Sequence, residues 1–204
     1  MFDTVIFDLG GVLVDWNPDY VFAPIFQGDA ARRQYFYEHV CTHDWNEQQD
    51  AGVPLQQATE ERVRLFPDWE PEIRAFYGRW EEMLGGPIQG TVDILEQLRQ
   101  QDRHRLVALT NWSAETFPIA LDRYDFLHWF EGILVSGVEK TRKPFPEFFE
   151  LLFERYAIDP RRAIFIDDNL RNVEAGRALG LTSVRFESSS QLSEELKRLQ
   201  ISAR

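Results

Sequence analysis

Four short polar clusters, each following an apolar run, carry the residue types with chemistry in them. They are Asp8 after residues 5–7, Thr110-Asn111 after residues 105–109, Lys143 shortly after residues 132–135, and Asp167-Asp168 after residues 163–166. Taken singly each is ordinary, since aspartates open loops and cap helices throughout globular proteins. Together they are not. Three carboxylates brought to one place repel one another and retain protons unless a cation neutralises them. Hard oxygen donors of this kind suit Mg²⁺, which takes one or two carboxylates and keeps positions for water and phosphate. Lys143 adds a second positive charge. Thr110 and Asn111 add a hydroxyl and an amide at the start of a helix, where free backbone N–H groups favour an anion. An oxygen nucleophile, a metal, a fixed lysine and hydrogen-bond donors are what a phosphoryl group requires.

These groups can act together only if the strands before them end at one edge. After residue 86, helix-like and strand-like segments alternate: helix 89–101, strand 105–109, helix 114–124, strand 132–135, helix 146–156, strand 163–166, helix 169–179, strand 183–186 and a last amphipathic helix over about 191–199. Repeated βα units with single buried strands predict an α/β fold with a parallel, doubly wound sheet. Ligands bind such sheets outside the carboxyl ends of the strands, near the point where strand order reverses. Residues 17–85 follow another pattern. Aromatic and charged residues recur there at helical spacing, with breaks at Pro54, Pro67 and Pro71. The spacing predicts a small all-helical domain over 17–85, inserted into an α/β core formed by 1–16 and 86–204. Gly85-Gly86-Pro87 is the expected return hinge.

Composition narrows the function. The 204 residues include 22 Lys and Arg against 34 Asp and Glu, a net charge of −12. That field repels a nucleic-acid backbone and argues against nucleic-acid binding. It repels small phosphate esters too, so an anionic substrate needs a local cation, a metal ion or a helix N-terminus. Cys41 is the only cysteine, which excludes an internal disulfide and suits a reducing compartment. Apolar runs are too short to span a bilayer, and Met1-Phe2-Asp3-Thr4 has no basic leader region, so no membrane association and a cytoplasmic location are expected. Monomer and homodimer both stay open.

With these motifs in order, as Phe7-Asp8-Leu9-Gly10-Gly11-Val12-Leu13, Leu109-Thr110-Asn111, Lys143-Pro144-Phe145-Pro146 and Ile164-Phe165-Ile166-Asp167-Asp168-Asn169, the sequence resembles the haloacid dehalogenase superfamily. The helical insert is similar to that family's cap in placement and size. The resemblance implies a Rossmann-like core and a phosphatase acting on a small phosphorylated metabolite. Asp8 would be the nucleophile that forms an aspartyl-phosphate. Thr110, Asn111 and Lys143 would bind the phosphoryl oxygens, and Asp8, Asp167, Asp168 and the Gly10 carbonyl would hold Mg²⁺. The Asp-Leu-Gly opening and Asp-Asp-Asn ending resemble the glucose-1-phosphate phosphatase branch, which implies a sugar phosphate.

One position departs from the phosphatase pattern. The family's phosphatases usually carry a second Asp two residues after the nucleophile as general acid/base, and here that residue is Gly10. Losing a positioned acid/base costs about 10²–10⁴-fold in rate. Asp15 is the nearest substitute in sequence. Gly10 also admits a rival, since the family's 2-haloacid dehalogenases lack that Asp and need no metal. The acidic pair Asp167-Asp168 has little use at such a site. A further alternative is a weakly catalytic module that binds a phosphorylated ligand or a protein. Trp16 and Trp112 flank the first two motifs and are candidate substrate contacts, as are His43 and Trp45 in the insert.

Overall fold

The computed structural model describes residues 1–201. Its strands are β1 (Thr4–Phe7), β2 (Val14–Trp16), β3 (Leu84–Pro87), β4 (Arg105–Thr110), β5 (Gly132–Val135), β6 (Ala163–Asp167) and β7 (Thr182–Arg185). Five of them form one parallel sheet in the order β5-β4-β1-β6-β7. The chain runs outward from β1 through β4 to β5, then returns to the other side of β1 for β6 and β7. Strand order therefore reverses beside β1, and the carboxyl ends of β1, β4 and β6 lie at the switch point.

β1 and β6 are buried along their whole length, as expected where both faces of a parallel sheet are covered. Alternate residues pack on opposite sides. Val5 and Phe7 face the core under helices α6 (Gln89–Gln101) and α11 (Ser189–Arg198), whereas Ile6 joins Phe148, Phe149 and Leu152 of α9 (Pro146–Tyr156). The remaining core helices are α7 (Phe117–Arg123), the one-turn α8 (Ser136–Glu139) and α10 (Leu170–Ala178). The sequence pattern anticipated α6 and α9 to the residue. It placed the start of α7 three residues early, because Pro118 forces the first helical turn to begin beside it.

Between β2 and β3 the chain forms α1 (Asp19–Phe26), α2 (Ala30–Tyr35), α3 (His43–Asp50), α4 (Leu55–Leu65) and α5 (Glu70–Gly78). They enclose an aromatic core in which Phe22 packs 4.7 Å from Phe36 and 5.9 Å from Phe76, and Trp45 meets Phe76 edge-on at 5.3 Å. Thr42 starts α3, its hydroxyl accepting from the Trp45 N–H at 3.1 Å. The expected hinge at Gly85-Gly86-Pro87 is itself a strand. β3 pairs antiparallel with β2, with an irregularity between Asp15 and Trp16. A three-residue strand against a glycine pair has no alternation to reveal it.

Candidate active site

Register brings the first two acidic motifs together. Phe7 stands opposite Ile166, and the Asp8 N–H donates to the Ile166 carbonyl at 2.8 Å, so Asp8 and Asp167 emerge level from adjacent strands. Oxygens of Asp8, Asp167 and Asp168 all lie within 4.8 Å of one another. Lys143 reaches the same point from the loop before α9. Its Nζ lies 2.9 Å from Asp8 Oδ1 and 2.7 Å from Asp167 Oδ2, and its side chain is fully buried.

The Asp167 carboxylate is held by several donors. Besides Lys143, it accepts from the Asn169 N–H at 2.8 Å and from Asn172 Nδ2 at 3.1 Å. Asp8 Oδ1 accepts from the Leu9 N–H at 2.7 Å. Burial pushes the Asp8 pKa well above the carboxylate range; Lys143 opposes this, while Asp167 and Asp168 add to it. Burial and Asp167 likewise raise Asp168 against Lys143. Lys143 is raised despite its burial, because Asp167 and Asp8 outweigh the loss of hydration. One lysine thus faces three carboxylates, and the set retains excess negative charge. A hard divalent cation such as Mg²⁺ fits this donor set, since it supplies the charge the site lacks.

Gly11 makes the grouping sterically feasible. It has φ +74°, and a Cβ there would fall 2.5 Å from Asp168 Oδ2. Gly10 differs: among the described residues no atom beyond its chain neighbours lies within 4 Å of where its Cβ would be, so a side chain there would start in open space. Both glycines line a cleft of about 240 Å³ with Asp8 and Asp168, small enough to suit a small ligand.

The other motif residues divide. Thr110 ends β4 fully buried, and its hydroxyl has no partner among the described residues. Asn111 lines the cleft, and its amide is tied to the Lys143 backbone. Nδ2 donates to the Lys143 carbonyl at 2.9 Å and Oδ1 accepts from the Lys143 N–H at 2.9 Å. The side chain expected to grip phosphoryl oxygens also sets the backbone of Lys143, with its second Nδ2 hydrogen uncommitted to it. Trp16 and Trp112 both line the cleft; Trp112 is wedged between Trp80 and Phe117, with its Nε1 unpartnered. His43 lines the cleft, while Trp45 belongs to the core of the insert.

Asp15 is not brought to the cleft. Its carboxylate accepts from the Tyr20 hydroxyl and presses on Gly85, where a Cβ would collide with it. The pairing of β2 with β3 seats Asp15 opposite Gly86, and its carboxylate lies against Tyr20 and Gly85 instead of the cleft.

Sequence reasoning missed the polar face of α3. Asn46, Glu47 and Asp50 line the cleft beside His43, at i, i+3, i+4 and i+7. The spacing was visible, but aromatic neighbours masked it. Glu47 is buried and joins the insert to the core, 2.9 Å from Arg142 and 2.7 Å from Arg171. Asp50 is tied down too. Asn46 Nδ2 donates to Asp50 Oδ2 at 3.0 Å, and the Ser136 hydroxyl donates to the Asp50 carbonyl while accepting from the Trp112 N–H at 2.9 Å. Burial and nearby Glu47 push the Asp50 carboxyl up to about 7, against the Ser113 N–H and Arg142.

Comparison with known proteins agrees with this arrangement. A family model for haloacid dehalogenase-like hydrolases matches residues 2–180. A sesquiterpene phosphatase of Aspergillus oryzae is 26% identical over 198 residues, spanning 97% of this chain and 96% of the relative. An N-acetylmuramic acid 6-phosphate phosphatase of Pseudomonas aeruginosa is 28% identical over 183 residues, 86% of this chain and 77% of its own. In fold, the chain is similar to a magnesium complex of a HAD family enzyme from Bacteroides thetaiotaomicron, with TM-score 0.73 and 19% identity over 96% of this chain and 98% of that one. No helix among the described residues is long and apolar enough to cross a membrane. With the parallel sheet, the four motifs at its switch point and a family model matching most of its length, the chain belongs to the haloacid dehalogenase-like hydrolases.

Proposed function

We propose that the protein is a Mg²⁺-dependent phosphatase of a small phosphorylated metabolite, a sugar phosphate, working through an aspartyl-phosphate on Asp8. The observation that carries this reading is the buried grouping of Asp8, Asp167, Asp168 and Lys143 at the carboxyl ends of β1 and β6. Asp8 attacks phosphorus in line as its bond to the leaving oxygen breaks, and water then hydrolyses the acyl phosphate. Lys143 fixes the Asp8 carboxylate and presents positive charge to the phosphoryl oxygens. Thr110 has a hydroxyl to donate, and Asn111 acts through Lys143. Asp8, Asp167, Asp168 and the Gly10 carbonyl would hold Mg²⁺, which when bound neutralises charge on the phosphoryl group and keeps Asp8 ionised.

Residues 17–85 serve, on this reading, as a cap that selects the leaving group, over a core of 1–16 and 86–204. The indole rings of Trp16 and Trp112 beside Asn46, Ser113 and Thr116 favour a hydroxylated organic group. A relative acting on N-acetylmuramic acid 6-phosphate supports the same substrate class. A cytoplasmic location suits such a substrate. Gly10 favours one other reading, 2-haloacid dehalogenation, but the Asp167-Asp168 pair would repel an anionic haloacid.

A panel of sugar phosphates and other esters, assayed with Mg²⁺ and with chelator, tests the proposal. Phosphate release that requires Mg²⁺ is expected. Chloride release from 2-chloropropionate in the presence of chelator, with no phosphate from any ester, would overturn it.

A further inference from the structure

An in-line displacement at phosphorus puts the nucleophile and the leaving oxygen on opposite sides. Asp8 enters the cleft from the sheet, so the leaving oxygen must face residues that enter from elsewhere. Gly10 offers it no side chain, and Asp15 is turned onto Tyr20. On the phosphatase reading above, a proton donor is therefore required from outside the first motif.

Two acidic side chains of the insert line the cleft, Glu47 and Asp50. Glu47 is committed to Arg142 and Arg171, which occupy its two oxygens at 2.9 and 2.7 Å. Asp50 makes no ion pair among the described residues. Its position is fixed at both ends, by Asn46 at the carboxylate and by Ser136 at its backbone, and Ser136 in turn holds Trp112 in the loop after β4. We propose that Asp50 supplies the general acid/base that Gly10 lacks, donating a proton to the leaving oxygen of the substrate and taking one from water in the second step. In the first step the bond from Asp8 Oδ to phosphorus forms, the bond to the leaving oxygen breaks, and that oxygen keeps the electron pair and takes the Asp50 proton. In the second, the Asp50 carboxylate takes a proton from the attacking water and the Asp8 carboxylate departs with its electron pair.

The surroundings of Asp50 suit both steps. Burial and Glu47 on its own helix favour the protonated form; the Ser113 N–H and Arg142 oppose them, and the Tyr77 phenol on α5 stays neutral, raised by burial and then by Asp50. The balance leaves a carboxyl that titrates at about 7, where an acid/base shuttle works best near neutrality.

The test compares kcat/KM, which reports transfer to Asp8, for p-nitrophenyl phosphate and phenyl phosphate. Nitrophenolate departs without help, whereas the phenol, with a pKa of about 10, needs a proton. Asp50→Asn is expected to lower kcat/KM for phenyl phosphate about 10²–10⁴-fold, and for p-nitrophenyl phosphate less than about 10-fold. Gly10→Asp, which enters open space, restores phenyl phosphate turnover in the Asp50→Asn background. In the unmodified protein, the phenyl to nitrophenyl ratio falls as pH rises through about 7, and this measurement decides the matter if Asp50→Asn does not fold. Equal slowing of both esters, or a ratio flat across pH 7, would overturn the role of Asp50 and leave the phosphatase reading standing. Phosphate release from neither of these esters nor from any sugar phosphate, with Mg²⁺ present, would overturn the reading itself.

Discussion

Glu47 is the most telling single perturbation of the way insert and core are joined. Its side chain is 7% exposed and accepts from Arg171 at 2.7 Å and Arg142 at 2.9 Å, residues 124 and 95 positions away that flank the two cationic and acidic motifs. Removing one partner of a fully buried ion pair costs about 3–5 kcal/mol, because the other charge is stranded. Here the guanidiniums are only partly stranded: Arg171 is 53% exposed and rehydrates, while Arg142, at 17%, largely does not. Glu47→Gln also keeps one acceptor oxygen. The expected loss is therefore about 1–3 kcal/mol, or a fall in Tm of about 2–12 °C for a chain of this size. Urea unfolding followed by tryptophan fluorescence, with a double-mutant cycle against Arg142→Met, measures it directly. A coupling energy below about 0.5 kcal/mol would refute the claim that this pair holds the insert over the site.

Lys143→Met strands two buried carboxylates; turnover should fall by about 10³-fold or more, and the apo protein should lose about 3–5 kcal/mol at pH 7, checked by kinetics and thermal melts. Part of that stability should return as pH falls, because burial raises the Asp8 pKa and a protonated Asp8 is no longer a stranded charge. Gly11→Ala combines a left-handed backbone with a Cβ driven into Asp168, so the Mg²⁺ concentration for half-maximal activity should rise about 10–100-fold. Asp50 titrates at about 7 in the folded protein against about 4 unfolded, so the folded state binds the extra proton between those values and stability falls as pH rises through them. Asp50→Asn removes that loss and should be more stable than the unmodified protein by about 4 kcal/mol at pH 8, the difference closing near pH 4 in chemical denaturation.

The sheet and the four motifs were legible in the sequence because each depends on local pattern. Short apolar runs closed by Asp8, Thr110 and Asp167 announce buried parallel strands, and the doubly wound rule then places their ends at one edge. What depended on tertiary pairing was not legible. The Leu84–Pro87 strand exists only through its partner β2, and that pairing turns Asp15 away from the cleft. Asn111 carries the expected amide, and its tie to the Lys143 backbone is a pairing across 32 residues that no local pattern announces. Asp50 and Glu47 lay in a stretch whose polar stripe is plain at helical spacing; nothing local says that the stripe faces Asp8 rather than solvent. The buried state of Glu47 is set by two arginines remote in sequence.

Acid-quenching the enzyme during turnover of its best phosphate ester, followed by peptide mapping in a mass spectrometer, tests the central claim most directly. The account predicts a phosphoryl adduct on Asp8 that forms with Mg²⁺ and is absent in Asp8→Asn. Steady phosphate release with no adduct on Asp8, or with an adduct on another residue, would contradict it.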